Sequence, residues 1–287
     1  MNAVPAFFID YQLRVDAELK RLVPADGNRV QQSMAYTVHA PSKRVRPVLV
    51  LLCAELCGGT PARAVGAAAA IELVHASSLI LDDLPAMDNA PLRRGQPSNH
   101  LAFGEPIAIL AAFGLLNSSY GVLTRAYEPS LASALSKVLS DAVGLDGLIG
   151  GQAADLLATD RQISFETLEQ IHRGKTGALF VASAAAGALT AGAGAEQQQW
   201  LVAFAKNLGL AFQIIDDLLD VEGDPAETGK AIREDARKTT FVSFSGVAGA
   251  RQLAMELCET ADRALAPFGR RADRIRELSA FVAARSA

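Results

Sequence analysis

Apolar residues in this chain come in long unbroken stretches and do not alternate with polar ones. Ala62 to about Leu84 is apolar almost throughout, as is Trp200 to Val221, and Gly177 to Ala195 is nearly without charge. No segment shows the period-two pattern with hairpin turns that a half-buried strand requires. The punctuation also belongs to helices. Cys57-Gly58-Gly59-Thr60-Pro61 closes one helix on glycine, then opens the next with a threonine cap and a proline in the first turn. Glu128-Pro129-Ser130 and Ser164-Phe165-Glu166 mark further starts, the second opening a helix that carries Ile171, His172 and Lys175. Gly223-Asp224-Pro225 stops the helix that begins near Trp200. The pattern predicts an all-α fold. No Pro/Ser-rich linker, composition break or solenoid-length repeat interrupts it, so residues 1–287 are read as one domain.

Composition narrows the function classes. Half of the 287 residues are hydrophobic, enough for a large core. The formal net charge of −4 argues against generic nucleic-acid binding, which needs a basic surface. Three cysteines, Cys53, Cys57 and Cys258, form no disulfide framework and point to a reducing, cytoplasmic setting. Cys53 and Cys57 lie in an apolar segment with no other cysteine or histidine close by, and read as buried small side chains. The N-terminal apolar patch is too short for a signal peptide, and Asp10 interrupts the stretch after it. Gly177 to Ala195 has membrane length but is built of alanine and glycine with Ser183 and Thr190; it reads as a packed interior helix, so no membrane span is expected.

Two acidic clusters break the apolar pattern: Asp82-Asp83-Leu84-Pro85-Ala86-Met87-Asp88 and Asp216-Asp217-Leu218-Leu219-Asp220. Each ends a long apolar helix, where a carboxylate opposes the helix dipole unless a cation balances it. Asp216 and Asp220 project from one helix face a turn apart, with Asp217 offset. Asp82 and Asp88 are about 120° apart on an ideal helix. Pro85 disfavours helix at Leu84, so the backbone is expected to loosen there and let Asp88 swing round to Asp82. Two carboxylates about 8 Å apart repel by roughly 2 kcal/mol at an effective dielectric near 20. Several facing one cavity call for cations, and hard oxygen donors of this kind suit Mg²⁺ bridging to substrate phosphates. Basic candidates to complete such a cavity are Lys43 and Arg46 in the Pro41–Pro47 segment, Arg93-Arg94, Lys175, Lys230 and Lys238; His75 lies on the same helix face as Asp82, two turns earlier.

Taken in order, the set resembles the trans-polyprenyl diphosphate synthases. KRVRP, HASSLILDDLPAMD, LRRGQPSNH, GQAADL, HRGKTGAL, and LAFQIIDDLLDVEGD with TGK follow the family's order between Lys43 and Arg251. The resemblance implies an isoprenoid-synthase-type helical bundle around a deep central cavity, commonly a homodimer. Its substrates would be isopentenyl diphosphate and an allylic diphosphate (dimethylallyl, geranyl or farnesyl). It implies three Mg²⁺ ions held by Asp82, Asp83, Asp88, Asp216 and Asp220, with Asp217 in the same motif. Lys43, Arg46, His75 and Arg94 match the isopentenyl diphosphate site. Arg93, Lys175, Thr176, Gln213, Lys230 and Lys238 match positions around the allylic substrate, with Lys175, Thr176, Gln213 and Lys230 the catalytic candidates.

Product length in this family is read beneath the first acidic motif. Ser77, five residues before Asp82, and Ser78 are small, which favours geranylgeranyl over farnesyl diphosphate. Phe113 replaces a common aspartate and is bulky enough to shorten the product. Other departures are Pro41-Ser42, Leu81, Asn89-Ala90-Pro91 and Ala231; none removes an aspartate of either motif. Rival readings are a class I terpene cyclase, which would not need Lys43, Arg46 and His75, a non-catalytic subunit of a heteromeric synthase, and a structural helical bundle, which leaves the ordered charges unexplained.

Overall fold

The computed structural model describes residues 5–222 and 238–284. Helices fall where the apolar runs and their punctuation predicted. α1 (Ala6–Leu22) and α2 (Arg29–Val38) lead into the apolar α3 (Val45–Leu56). α4 (Pro61–Asp82) opens on Thr60, whose hydroxyl accepts from the Arg63 amide, with Pro61 in the first turn. Its small buried residues, Gly66 and Ala67 to Ala70 among them, let α3, α6 (Glu105–Ala126) and α10 (Ala178–Thr190) pack closely around it. Gly187 of α10 lies so near α3 that a Cβ there would sit 2.4 Å from the Val50 carbonyl oxygen. The alanine-rich stretch is thus an interior helix, as its composition indicated.

α5 (Asn99–Phe103), α7 (Pro129–Val143), α8 (Leu148–Ala158) and α9 (Phe165–His172) follow, the last capped by Ser164. A π-helical turn, Arg173–Gly177, joins α9 to α10. α11 (Ala195–Glu222) lies along α10 and α12 (Phe241–Ala264); α13 (Asp273–Ala283) closes the described chain. The buried apolar residues form one continuous cluster from Phe8 to Val282.

The strand-free expectation needs one small correction. Leu92–Arg93 pairs with Gln96–Pro97 as a short antiparallel hairpin. Arg94 and Gly95 turn it with φ of 56° and 77°, the doubly positive pattern of a type I′ turn. Two residues per strand are too few for alternation to show in a sequence.

Candidate active site

The first acidic motif behaves as Pro85 predicted. α4 ends at Asp82, and the chain then winds back on itself: the Asp88 amide donates to the Asp82 carbonyl, and the Asn89 amide to the Leu84 carbonyl, both at 3.0 Å. Asp88 therefore returns beside Asp82. Gln152 Nε2 donates to Asp82 Oδ1 at 2.6 Å, and Lys175 Nζ lies 3.5 Å from the same oxygen. Lys175 also pairs with Asp155 at 2.7 Å; Lys238 bridges Asp155 at 3.1 Å and Asp88 at 2.9 Å. Two lysines from distant segments thus bind three carboxylates into one ring. Burial alone would push the Asp155 carboxyl up, but Lys175 and Lys238 outweigh it and hold it below the ordinary range. Burial works against charge on Lys238 too, yet Asp155 and Asp88 raise its ammonium above the usual lysine value.

The π turn ties this ring to the second motif. Thr176, next to Lys175, donates from Oγ1 to Gln213 Oε1 at 2.7 Å, and Gln213 Nε2 donates to Asp217 Oδ1 at 2.9 Å. Glycines allow the approach. A Cβ on Gly151 would lie 2.1 Å from the Lys175 backbone nitrogen, and one on Gly209 would lie 3.1 Å from the Gly177 Cα. α8 and α11 therefore both meet the turn at backbone distance, which sets Lys175 and Thr176 between Asp82 and Asp217.

The structure divides the six motif aspartates into two kinds. Asp82 and Asp88 line the lysine ring, while Asp216 and Asp220 are half-buried a turn apart on α11. Asp83 and Asp217, grouped with the metal ligands on their motifs, turn inward. Asp83 is 2% exposed and takes both ends of the Arg93 guanidinium, with Nε 2.9 Å from Oδ1. Asp217 is 3% exposed and accepts from Gln213 and, at 2.9 Å, from the Phe241 amide. One residue along a helix is a rotation of about 100°, enough to swing a neighbouring carboxylate from the site into the core.

The basic residues gather around α4. Arg46 lies with its guanidinium 4.7 Å from the Phe180 ring centroid and 5.6 Å from that of Phe212, and its Nη1 is 3.5 Å from His75 Nε2. Arg94, on the hairpin, donates to the Thr37 carbonyl and to Glu72, each at 3.4 Å. Lys43 is exposed on the loop before α3, where Gln12 holds its carbonyl at 2.9 Å. Burial, then Arg46, Arg94, Arg93 and Arg44, drive the His75 imidazole well below its ordinary range, so it is neutral at physiological pH. Lys230 and Ala231 lie outside the described residues.

Ser77 is buried and donates to the Ala112 carbonyl of α6 at 2.8 Å; Ser78 is half-buried and donates to the His75 carbonyl. Phe113 departs from expectation. It is 63% exposed on the outer face of α6, because the next residue round the helix from an inward Ala112 points away from α4. In this chain it does not fill space beneath Asp82.

Gln152, Asp155, Glu72 and Arg44 were not singled out from sequence as site residues. The first two lay in the GQAADL segment, which carried no acidic repeat. Glu72 had a usable signal: it is a lone carboxylate in an apolar helix, and such a group needs a buried cation.

His172, where α9 meets the π turn, is 8% exposed and packs on the Phe241 ring. Burial lowers its pKa to about 4. The unfolded chain takes up a proton near the ordinary value of 6.5 and the folded chain does not, so this contribution to stability is complete above pH 6.5 and is lost as pH falls toward 4. The loss amounts to roughly 3 kcal/mol. The fall in Tm between pH 6.5 and 4.5 is expected to shrink in His172→Gln, measured by thermal denaturation across pH.

Known proteins match this arrangement over most of its length. The Polyprenyl synthetase family model matches residues 28–263. The chain belongs to the polyprenyl synthetase family. It is 40% identical over 274 residues to a farnesyl diphosphate synthase of Geobacillus stearothermophilus, covering 92% of this chain and 91% of that one. It is 39% identical over 280 residues to a geranylgeranyl diphosphate synthase of Cyanophora paradoxa, covering 95% and 93%. Its fold superposes with a TM-score of 0.86 on a solved FPP/GFPP synthase of Zymomonas mobilis, at 32% identity over 96% of this chain and 97% of that one.

As a polyprenyl synthetase it is a short-chain trans-prenyltransferase. The family uses isopentenyl and allylic diphosphates and is generally Mg²⁺-dependent. The donor set in this chain fits that ion: oxygen-only carboxylates, with no cysteine or histidine among them. Among the described residues no three acidic, histidine or cysteine side chains stand close enough to form a ready cage.

Proposed function

We propose that this protein joins isopentenyl diphosphate head to tail with an allylic diphosphate, releasing pyrophosphate, and that geranylgeranyl diphosphate is its main product. One observation carries the reading: two charged groups of different chemistry sit on one helix. His75, among Arg46 and Arg94, and Asp82, within the lysine ring, are both on α4. Seven residues of helix separate them by about 10 Å, which leaves room for a diphosphate at each.

Arg46, Arg94 and Lys43, with neutral His75 as a hydrogen-bonding partner, hold the isopentenyl diphosphate. Asp82 and Asp88, together with Asp216 and Asp220, would hold the Mg²⁺, three ions in the full complex, that engages the allylic diphosphate. When bound, these ions neutralise charge as pyrophosphate leaves. Lys175 and Lys238 add fixed positive charge beside Asp82 and Asp88, with Arg93 held nearby on Asp83; the resemblance adds Lys230, which lies outside the described residues. The allylic C–O bond breaks, and the Thr176 and Gln213 oxygens face the cation. The isopentenyl double bond then supplies the electron pair for the new C–C bond. A proton leaves the adjacent carbon, with pyrophosphate as its acceptor.

Farnesyl diphosphate is the alternative product, in line with the name of the Geobacillus relative. Incubating the purified chain with Mg²⁺, isopentenyl diphosphate and each primer, then sizing the products, decides between them. Inactivity of the chain alone would point to the non-catalytic-subunit reading. Ser77 supports the longer product, since it leaves only a hydroxyl between α4 and α6. Ser77→Phe is expected to shorten the main product by at least one isoprene unit; unchanged products in the same assay would remove Ser77 from this role.

We further propose that residues 1–287 act as one domain, in the cytoplasm, as a homodimer. The best support for the dimer is α6, which is long and apolar enough to span a membrane by composition but whose most apolar window is only 39% buried. Ile109, Leu110 and Phe113 on α6, and Leu101 just before it, are exposed. A second copy packed there would cover them. Phe113→Glu is expected to shift the assembly toward monomer in light scattering.

A further inference from the structure

Four described non-glycine residues have positive φ, and two of them, Arg44 at 49° and Arg94 at 56°, direct their side chains to the same carboxylate. That carboxylate is Glu72, 1% exposed on the apolar α4. Arg44 reaches it at 2.5 Å from the loop before α3, and Arg94 at 3.4 Å from the hairpin turn. Left-handed backbone is unfavourable for a side chain as large as arginine and persists only where its surroundings enforce it. Here two such turns, far apart in sequence, converge on one acid.

The surrounding groups give the convergence a purpose. Arg44 is held on every side: its Nε is 2.9 Å from Asp16, and its Nη2 donates to the Val38 carbonyl. It is 5% exposed and presents nothing to a ligand. Among the described residues Arg94 makes long contacts alone, to Glu72 and the Thr37 carbonyl, and so keeps donor capacity. Arg46 and His75 complete the group, and His75 stands one turn beyond Glu72 on α4. A cluster of arginines around a neutral histidine is self-repelling. A single buried carboxylate at its base offsets that repulsion and sets where the guanidinium of Arg94 points.

We infer that Glu72 is a positioning residue for the isopentenyl diphosphate site: with Arg44 as its fixed partner, it aligns Arg94, the loop bearing Lys43 and the first turn of α3 bearing Arg46 for the incoming diphosphate. The inference rests on the prenyl-transfer reading above. It assigns Glu72 no contact with substrate. It also separates the two half-sites, since Glu72 touches none of Asp82, Asp88, Lys175 or Lys238 through any hydrogen bond or ion pair seen among the described residues.

The test compares wild type, Glu72→Gln and Glu72→Asp with isopentenyl diphosphate and geranyl diphosphate, varying each at saturation of the other. Wild-type turnover is the first readout: if it is absent, the functional reading fails and Glu72 is not at issue. With active wild type, Glu72→Gln is expected to raise KM for isopentenyl diphosphate by about 10- to 100-fold, the loss of one charge-assisted interaction. KM for geranyl diphosphate should stay within about twofold and kcat within about threefold on the same argument. Glu72→Asp keeps the charge but reaches one arginine only, so an intermediate rise is expected. A Glu72→Gln KM for isopentenyl diphosphate equal to wild type would overturn the inference, and so would equal rises in both KM values. If Glu72→Gln does not fold, Glu72→Asp alone decides: a selective rise supports the inference, and wild-type KM overturns it.

Discussion

Asp82→Asn and Asp216→Asn are each expected to abolish prenyl transfer, lowering kcat by about 10³-fold or more while leaving Tm nearly unchanged. Both carboxylates are half-buried near the ends of apolar helices, whereas the aspartate after each is buried. On the proposed assignment, neutralising either removes an oxygen ligand and a full negative charge from the Mg²⁺–diphosphate assembly. Electrostatic stabilisation by such an assembly contributes several kcal/mol, and about 4 kcal/mol is a thousandfold in rate. Excess chelator is expected to reproduce the loss, and added Mg²⁺ to reverse it only in wild type. The neighbouring aspartates should behave in the opposite way. Asp83→Asn leaves the Arg93 guanidinium facing a neutral amide in a buried pair, at a cost of about 3 kcal/mol, and Asp217→Asn disturbs the joint between α11 and α12. Thermal denaturation beside steady-state rates separates the groups: rate without stability for Asp82 and Asp216, stability first for Asp83 and Asp217. Identical behaviour of all four would mean that their inward and outward orientations have no functional meaning.

Gly151→Ala is expected to be nearly as damaging to the rate, although the substitution adds only one methyl group to α8. Its Cβ would lie 2.1 Å from the Lys175 nitrogen and 2.7 Å from the Gly174 carbonyl carbon, both backbone atoms that no rotamer change can move aside. The π turn would have to shift by an ångström or more. Overpacking of this kind costs about 1–3 kcal/mol in stability. A misplacement of about 1 Å costs on the order of 10²-fold in rate. Lys175 and Thr176 would retreat together from Asp82 and Gln213, so the loss should appear in kcat more than in either KM. A Gly151→Ala enzyme with wild-type kcat would show that the turn tolerates displacement.

The two acidic motifs, their ordered basic partners and the helical class were legible because each rests on local pattern. Apolar run length gave the helices, Thr60-Pro61 and Ser164 gave starts, and Pro85 gave the bend that returns Asp88 to Asp82. Harder to read was anything that depends on rotation about a helix axis. Asp83 and Asp217 share a motif with their neighbours but point elsewhere, and Phe113 follows an inward alanine yet faces outward. Spacing along a sequence does not say which way a helix is rolled; packing against α6 and α12 does. The hairpin at Arg94-Gly95 was too short to announce itself. Asp155 was also hidden, because its importance comes from Lys175 and Lys238, 20 and 83 residues away.

α4 runs as one uninterrupted rod from Pro61 to Asp82, braced on several sides, and on the proposed assignment it carries both diphosphate stations. Such a mounting cannot stretch between rounds of synthesis. On that assignment it is the product that would travel after every addition, handing its phosphate end from one station to the other while its tail slides one isoprene deeper, so the same rigid gauge would measure each new link.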